Sequence, residues 1–97
     1  MTASGEIWVT VDTRPNPFGL MTTIAFDLPR PGHARLTILD VHGRTVAELV
    51  NDFRPAGPAV SIWQGRESTG RIAPPGFYIV RLEHEGSVMS TSLVRMR

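Results

Sequence analysis

The sequence predicts an all-β fold, an immunoglobulin-like β-sandwich of about seven antiparallel strands. Three observations carry this. Short runs alternate apolar and polar residues, the period of a half-buried strand. Signals rich in Gly, Pro and Asp interrupt them at the spacing of about 8–12 residues typical of sandwiches. No strand–helix alternation is present, which excludes a parallel α/β sheet.

Taken in order, Ile7, Val9 and Val11 alternate with Trp8, Thr10 and Asp12 as a first strand. Thr13 to Gly19, with Pro15 and Pro17, leaves the strand because proline lacks a backbone N–H. A second strand puts Ile24, Phe26 and Leu28 on one face and Thr23, Ala25 and Asp27 on the other, and Pro29-Arg30-Pro31-Gly32 ends it. A third runs from Ala34 to Asp40, with Leu36 and Ile38 inward and Arg35 and Thr37 outward. Thr45 to Val50 is read as a fourth strand; its alternation is poor enough to admit a helical turn. The fifth spans Ala59 to about Gln64. The sixth spans Phe77 to His84, and its opening residues Phe77-Tyr78-Ile79-Val80 suit a strand covered on both faces. Glu85-Gly86 forms a tight hairpin, and Val88 to Arg95 returns as the seventh strand. The expected core is Ile7, Val9, Val11, Ile24, Phe26, Leu28, Leu36, Ile38, Val60, Ile62, Tyr78, Val80 and Leu82.

At 97 residues the chain is expected to hold one domain over residues 6–97, with residues 1–5 a disordered or added lead. Its 41% hydrophobic content suits a globular protein. A chain this short builds one core with little room for a deep pocket. The net charge of +1 is scattered, with no basic stripe for nucleic acid and no polybasic cluster for lipid. All ten basic residues are Arg, and cysteine is absent, so neither a disulfide nor a thiolate metal site exists. No apolar run approaches the ~20 residues of a membrane-spanning helix. The start, Met1-Thr2-Ala3-Ser4-Gly5, lacks the parts of a signal peptide, so export would depend on a signal carried by a longer parent.

The candidate motifs read as turn chemistry. In Asp40-Val41-His42-Gly43-Arg44 the Asp side chain can accept backbone N–H groups, and Gly takes positive φ three residues later. Asp40, Gly43 and Arg44 also make a candidate recognition point. Gly65 and Gly70 have phosphate-loop spacing, but Arg71-Ile72 stands where Lys and a hydroxyl residue belong and no helix follows. His33, His42 and His84 are assigned to three separate turns as solvated side chains without ligand spacing, and Asp12, Asp27, Asp40 and Asp52 are isolated. None of the six serines lies in a GxSxG turn, and Glu83 and Glu85 flank a hairpin. No catalytic, cofactor-binding or metal-binding residue is therefore assigned, and the chain is expected not to be an enzyme. Trp8, Trp63, Phe77 and Tyr78 are read as packing residues rather than a sugar platform, with Trp8 the exception because it lies opposite the inward set of its strand.

From about Thr13 to Arg97 the chain resembles the type IX secretion C-terminal sorting domain, a family related to the immunoglobulin-like domain of the flagellar hook-capping protein. The resemblance rests on Pro15-Asn16-Pro17-Phe18 with Thr23-Ile24-Ala25-Phe26, Leu39-Asp40 with Gly43-Arg44, Ala56-Gly57, Trp63 with Gly65, Gly70, and Gly76-Phe77-Tyr78 with Arg81-Leu82. Gln64 stands where the family usually has Asp, Pro75 where a small residue is common, and Arg95 and Arg97 where the terminal segment is commonly Lys-bearing; Arg keeps the charge without being a lysine equivalent. The resemblance implies a non-catalytic sorting or attachment module of a larger secreted bacterial protein, placed in the secreted or cell-surface fraction. Its implied partners are the secretion and attachment machinery or neighbouring domains of the parent, with no nucleic acid, membrane insertion or cofactor. The chain ends just after its last strand, which favours sorting over a hook-cap scaffold; a structural spacer or, further off, a carbohydrate-binding module are the alternatives. The last strand is expected at a sheet edge, where unpaired backbone groups template pairing. With the Asp40–Arg44 turn, Arg95, Met96 and Arg97 complete the candidate recognition surface.

Overall fold

The computed structural model describes residues 10–96; the expectations for residues 1–9, Ile7, Trp8 and Val9 among them, and for Arg97 lie outside the described residues. Seven strands form two antiparallel sheets. They are β1 (Thr10–Arg14), β2 (Thr22–Leu28), β3 (Gly32–Leu39), β4 (Thr45–Arg54), β5 (Gly57–Trp63), β6 (Gly76–His84) and β7 (Ser87–Arg95). One sheet has the order β1-β2-β5 and the other β4-β3-β6-β7. The all-β sandwich expected from the sequence is the one observed. Relative to the constant-type immunoglobulin arrangement, β4 has changed sheets and pairs with β3.

Proline and paired turns set the boundaries. β1 continues through Thr13 and Arg14, further than its residues suggest, and stops at Pro15. Glu85 and Gly86 both have positive φ, 48° and 81°, which makes a two-residue hairpin with the twist that antiparallel strands favour. β4 is a strand of ten residues, and its poor alternation has a cause. The pairing of β3 with β4 shifts register twice, between Leu36 and Thr37 and between Ile38 and Leu39. Each irregularity resets the parity of the strand.

The core lies between the sheets. Ile24, Phe26 and Leu28 from β2 face Leu36 and Ile38 from β3 and Tyr78, Val80 and Leu82 from β6, all buried as expected. Val11 packs at its margin. Val60 and Ile62 do not belong to it: they are 61% and 52% exposed. The reason is Trp63, which is 2% exposed and fixes the parity of β5. With a period of two, Ala59 and Ser61 turn inward and Val60 and Ile62 turn out. Phe18, Ala34, Ala47, Val50, Ala73 and Leu93 complete the buried set. Phe77 is 66% exposed and Ile79 half-buried, so the outer face of β6 is uncovered, contrary to the reading of its four apolar residues as a strand covered on both sides.

His84 also departs from its expected place. It sits at the end of β6 and shares the inward parity of Tyr78, Val80 and Leu82, so it is buried rather than solvated in a turn. Neither ring nitrogen has a hydrogen-bond partner among the described residues. A buried polar group left unpaired costs free energy that an apolar side chain of similar size does not. His84→Leu is therefore expected to stabilise the domain by about 1 kcal/mol, read from the urea midpoint at neutral pH. A fall in the midpoint would mean that the ring nitrogens are satisfied in solution.

Candidate functional site

Three connections gather at one end of the sandwich: residues 15–21, 40–44 and 64–75. The register brings the end of β7 to the same place, since Leu39 lies opposite Ile79, and Gly76 opposite Arg95. The residues singled out in the sequence therefore meet at one end, with Arg97 outside the described residues.

The 40–44 turn is built by its aspartate. Asp40 Oδ1 accepts the N–H groups of His42 at 2.9 Å and Arg44 at 3.0 Å, and Oδ2 accepts Arg44 Nε at 2.9 Å. The backbone closes the same turn, with Asp40 N–H donating to Arg44 O and Gly43 N–H to Asp40 O. Gly43 supplies the φ of 84° that the turn requires. The Arg44 N–H bond, followed by those of His42 and the guanidinium, holds the Asp40 carboxyl below its usual range against the opposing effect of desolvation. Asp40 is thus occupied by structure. Arg44, whose side chain is 77% exposed, is the group presented outward.

The 64–75 connection is a small hairpin of its own. Arg66 and Ile72 form an antiparallel bridge, Glu67 N–H donates to Arg71 O, and Gly70 N–H donates to Glu67 O. Ser68 N–H donates to Val46 O at 2.9 Å and docks the hairpin on β4. An open groove of about 460 Å³ lies between this hairpin and the Asp40 turn, lined by both Arg44 and Arg71.

Aromatic side chains seat the whole end. Trp63 packs between Phe18, at 5.5 Å between ring centroids, and Tyr78, at 5.3 Å. Its indole N–H donates to Arg66 O at 2.8 Å, and Tyr78 O–H donates to Pro74 O. The Tyr78 bond matches the tyrosine corner of immunoglobulin-like sandwiches, a tyrosine at the start of the sixth strand tied to the backbone just upstream. Burial raises the Tyr78 phenol above its ordinary value. Trp63 and Tyr78 are packing residues, as read from the sequence; Phe77 is not.

The β7 edge is free for only part of its length. Asn16 lies beside it: its side-chain N–H₂ donates to Ser92 O at 3.0 Å, and its side-chain oxygen accepts Val94 N–H at 3.0 Å. Phe18 then continues as a one-residue parallel strand, with Phe18 N–H donating to Val94 O and Met96 N–H donating to Phe18 O. The sequence shows Asn16-Pro17-Phe18 as a turn; its use as an edge cover and core plug depends on a partner 76–78 residues away in the chain. The Arg95 guanidinium folds back over Gly65, and its buried Nε has no hydrogen-bond partner among the described residues. Arg95 is accordingly half-buried, whereas Met96 is 49% exposed.

Between the Asp40 turn and β7 the outer face is apolar. Leu39 and Ile79 lie side by side, Phe77 follows on the same face of β6, and Val94 lies opposite Phe77. Towards the other end this face is ionic, with Arg35 bonded to Glu48 at 2.9 Å and to Glu83 at 3.2 Å. The bond to Arg35, then that from Asn51, lowers the Glu48 carboxyl from its usual value.

Comparison with solved structures identifies the same fold in proteins of distant sequence. The chain superposes on FlgD from P. aeruginosa with a TM-score of 0.62 at 21% identity, over 89% of this chain and 73% of that one. It matches PorZ, an essential bacterial surface component of the type IX secretion system of Porphyromonas gingivalis, with a TM-score of 0.63 at 18% identity, over 90% of this chain and 11% of PorZ. The alkylpurine DNA glycosylase AlkC of Pseudomonas fluorescens, bound to DNA containing an abasic site analogue, matches with a TM-score of 0.54 at 17% identity, over 92% of this chain and 30% of AlkC. No protein-family model matches the sequence, and no curated protein matches it. The likeness establishes an immunoglobulin-like sandwich shared with these chains, and a sandwich alone does not select a function.

Two outcomes follow from the local geometry. Gly65 has φ +71°, and a Cβ there would meet the Arg95 guanidinium. Gly65→Ala is expected to lower stability by about 1–2 kcal/mol in thermal unfolding, the usual cost of a left-handed conformation with a side chain. The Asp40 carboxyl is depressed on folding, so the stability it contributes is present above the unfolded-state value and is lost as the pH falls through the folded one. The urea midpoint of Asp40→Asn should lie below that of the parent at neutral pH, and the two should converge below the carboxylate range.

Proposed function

We propose that this chain is a non-catalytic sorting or cell-surface attachment module of a larger secreted bacterial protein, recognised by export or attachment machinery through the end that carries the Asp40 turn. The observation that carries this reading is the convergence there of the Arg44 side chain, the uncovered apolar face of Leu39, Ile79, Phe77 and Val94, and the exposed Met96. An exposed apolar patch rimmed by polar groups marks an interaction surface. Of the motifs that carry the sorting-domain resemblance, Asn16-Pro17-Phe18, Asp40 with Gly43-Arg44, Trp63 with Gly65, Gly70 and Gly76-Phe77-Tyr78 lie at this end and Ala56-Gly57 at the other, and the fold shared with PorZ is consistent with a role at the bacterial surface. The polar groups of the turns are spent on backbone hydrogen bonds, which supports binding rather than chemistry.

The alternative is a structural spacer or assembly domain, which the fold shared with FlgD favours equally. A carbohydrate platform draws no support from Trp63, whose indole is buried.

The test is a reporter fused ahead of this chain in a host with type IX secretion. Truncating Leu93 to Arg97 is unsuitable, because Leu93 is fully buried and the backbone of Val94 and Met96 holds residues 16–18. Arg44→Glu with Phe77→Ser changes only exposed side chains; it gives up the Arg44–Asp40 contact and should lower the thermal unfolding midpoint modestly while leaving the domain folded at the assay temperature. Export of the parent fusion with at least a tenfold loss in the double variant supports the proposal. Export equal to that of the unfused reporter rejects sorting in favour of the spacer, and full export of the double variant rejects this surface.

A further inference from the structure

Two sheets of this kind have four edge strands, and three of them carry protection against pairing with another chain. β1 presents the charged residues Asp12 and Arg14 within its described residues. β4 is irregular and carries Glu48, Asp52 and Arg54. β7 is covered over Ser92 to Met96 by Asn16 and Phe18. Short length, charge, proline, bulges and coverage are the usual means by which an edge is blunted. The fourth edge, β5, has of these only Pro58, near its start. Its sequence Gly57-Pro58-Ala59-Val60-Ser61-Ile62-Trp63 contains no charge and pairs with β2 in unbroken register. Among the described residues nothing pairs with its other side.

Which backbone groups face outward follows from proline. Pro58 lies opposite Asp27 and has no N–H to exchange with β2, so it belongs to a pair whose backbone groups point away from β2. By alternation Val60 and Ile62 do the same. The edge therefore presents the N–H and C=O of Val60 and Ile62 and the C=O of Pro58, above an outer face of exposed apolar side chains.

The geometry points to a second copy of this chain as the occupant, paired antiparallel through β5 about a two-fold axis at Val60. In that register Val60 meets Val60 of the second copy and exchanges two hydrogen bonds with it. Pro58 meets Ile62 of the second copy, whose N–H donates to the Pro58 carbonyl; the symmetric contact repeats this. The absence of charge is what makes the strand compatible with itself, since an identical charged residue on the axis would oppose its own copy. The pairing is closed, because a two-fold axis engages the β5 edges of both molecules with each other. It yields a six-stranded sheet with Val60, Ile62 and Pro58 of both copies in one apolar stripe. The contact is small, which sets the association in the weak, concentration-dependent class. This surface lies on the other sheet from the proposed recognition face and stands whether or not that reading holds.

The test is sedimentation velocity of the chain from micromolar concentrations to ~1 mM, with Val60→Glu and Val60→Lys. Val60 is 61% exposed, so both variants should fold, which their thermal unfolding checks. The parent is expected to dimerise reversibly, and each variant alone to dimerise at least about tenfold more weakly through like charges placed face to face. An equimolar mixture of the two variants is expected to regain the dimer. Hydrogen exchange at the Val60 and Ile62 amides should slow as the parent is concentrated. A parent that stays monomeric throughout the range, or variants that associate as the parent does, would overturn the proposal.

Discussion

The burial of Trp63 is the constraint from which most of this structure follows. The indole fills the core between Phe18 and Tyr78, joining the last residue of β5 to the β1–β2 connection and to β6 of the other sheet. Truncating a buried tryptophan costs on the order of 3–5 kcal/mol, and aromatic pairs add roughly 0.5–1.5 kcal/mol each beyond their area. For a chain of 97 residues, with a total stability of order 5–15 kcal/mol, that is a large share. Its N–H anchors the 64–75 connection at Arg66, and Tyr78 anchors the same connection at Pro74. One cluster thus supplies apolar burial and also positions the loops around it.

The same cluster determines what the surface shows. Trp63 sets the parity of β5, and Val60 and Ile62 are exposed as a direct result. Phe18 enters the core only because its backbone is bonded to Val94 and Met96, and that pairing is what covers half of the β7 edge. Asn16 extends the cover by presenting a side-chain amide in the geometry of a peptide group. Core packing and edge protection meet here in the segment from Asn16 to Phe18. The cost of protecting β7 falls on a loop and not on β7 itself, whose sequence carries no charge before Arg95.

Much of this was legible in the sequence because it depends on local rules. The β2, β3 and β6 faces follow from alternation, the Asp40 turn from an Asp followed three residues later by Gly, and the β6–β7 hairpin from Glu85-Gly86. What was not legible depends on distant partners. In β5 two alternations compete, Val60 with Ile62 against Ala59 with Ser61 and Trp63, and hydrophobicity of the small residues favours the wrong one. Only the size of Trp63, which must be buried somewhere, argues for the other. The alternation of β4 hides behind two register shifts, and the burial of His84 follows only when the inward parity of β6 is carried to its last residue. Of the candidate site, Asp40 and Gly43 were identified for the turn they build. The position of Arg95 over Gly65 needs the register of β6 with β7, which no local pattern contains.

The division of labour among polar side chains bears on what kind of function this surface supports. Asp40, Thr22, Trp63 and Tyr78 each bond backbone groups of the connections, and Asn16 bonds the backbone of β7. Arg35 and Glu48 are held in an ionic lattice across the sheet. Under the proposed recognition role these groups serve as structure, and a shaped loop end needs only a few free groups to be recognised. Arg44 is such a group, because its aliphatic stem and most of its guanidinium remain in water after Nε has met Asp40. The apolar strip beside it supplies contact area, and the turn supplies a fixed position from which the charge is presented. Recognition by shape and one well-placed cation asks for rigidity more than for reactivity, and rigidity is what the aspartate turn and the aromatic cluster together provide.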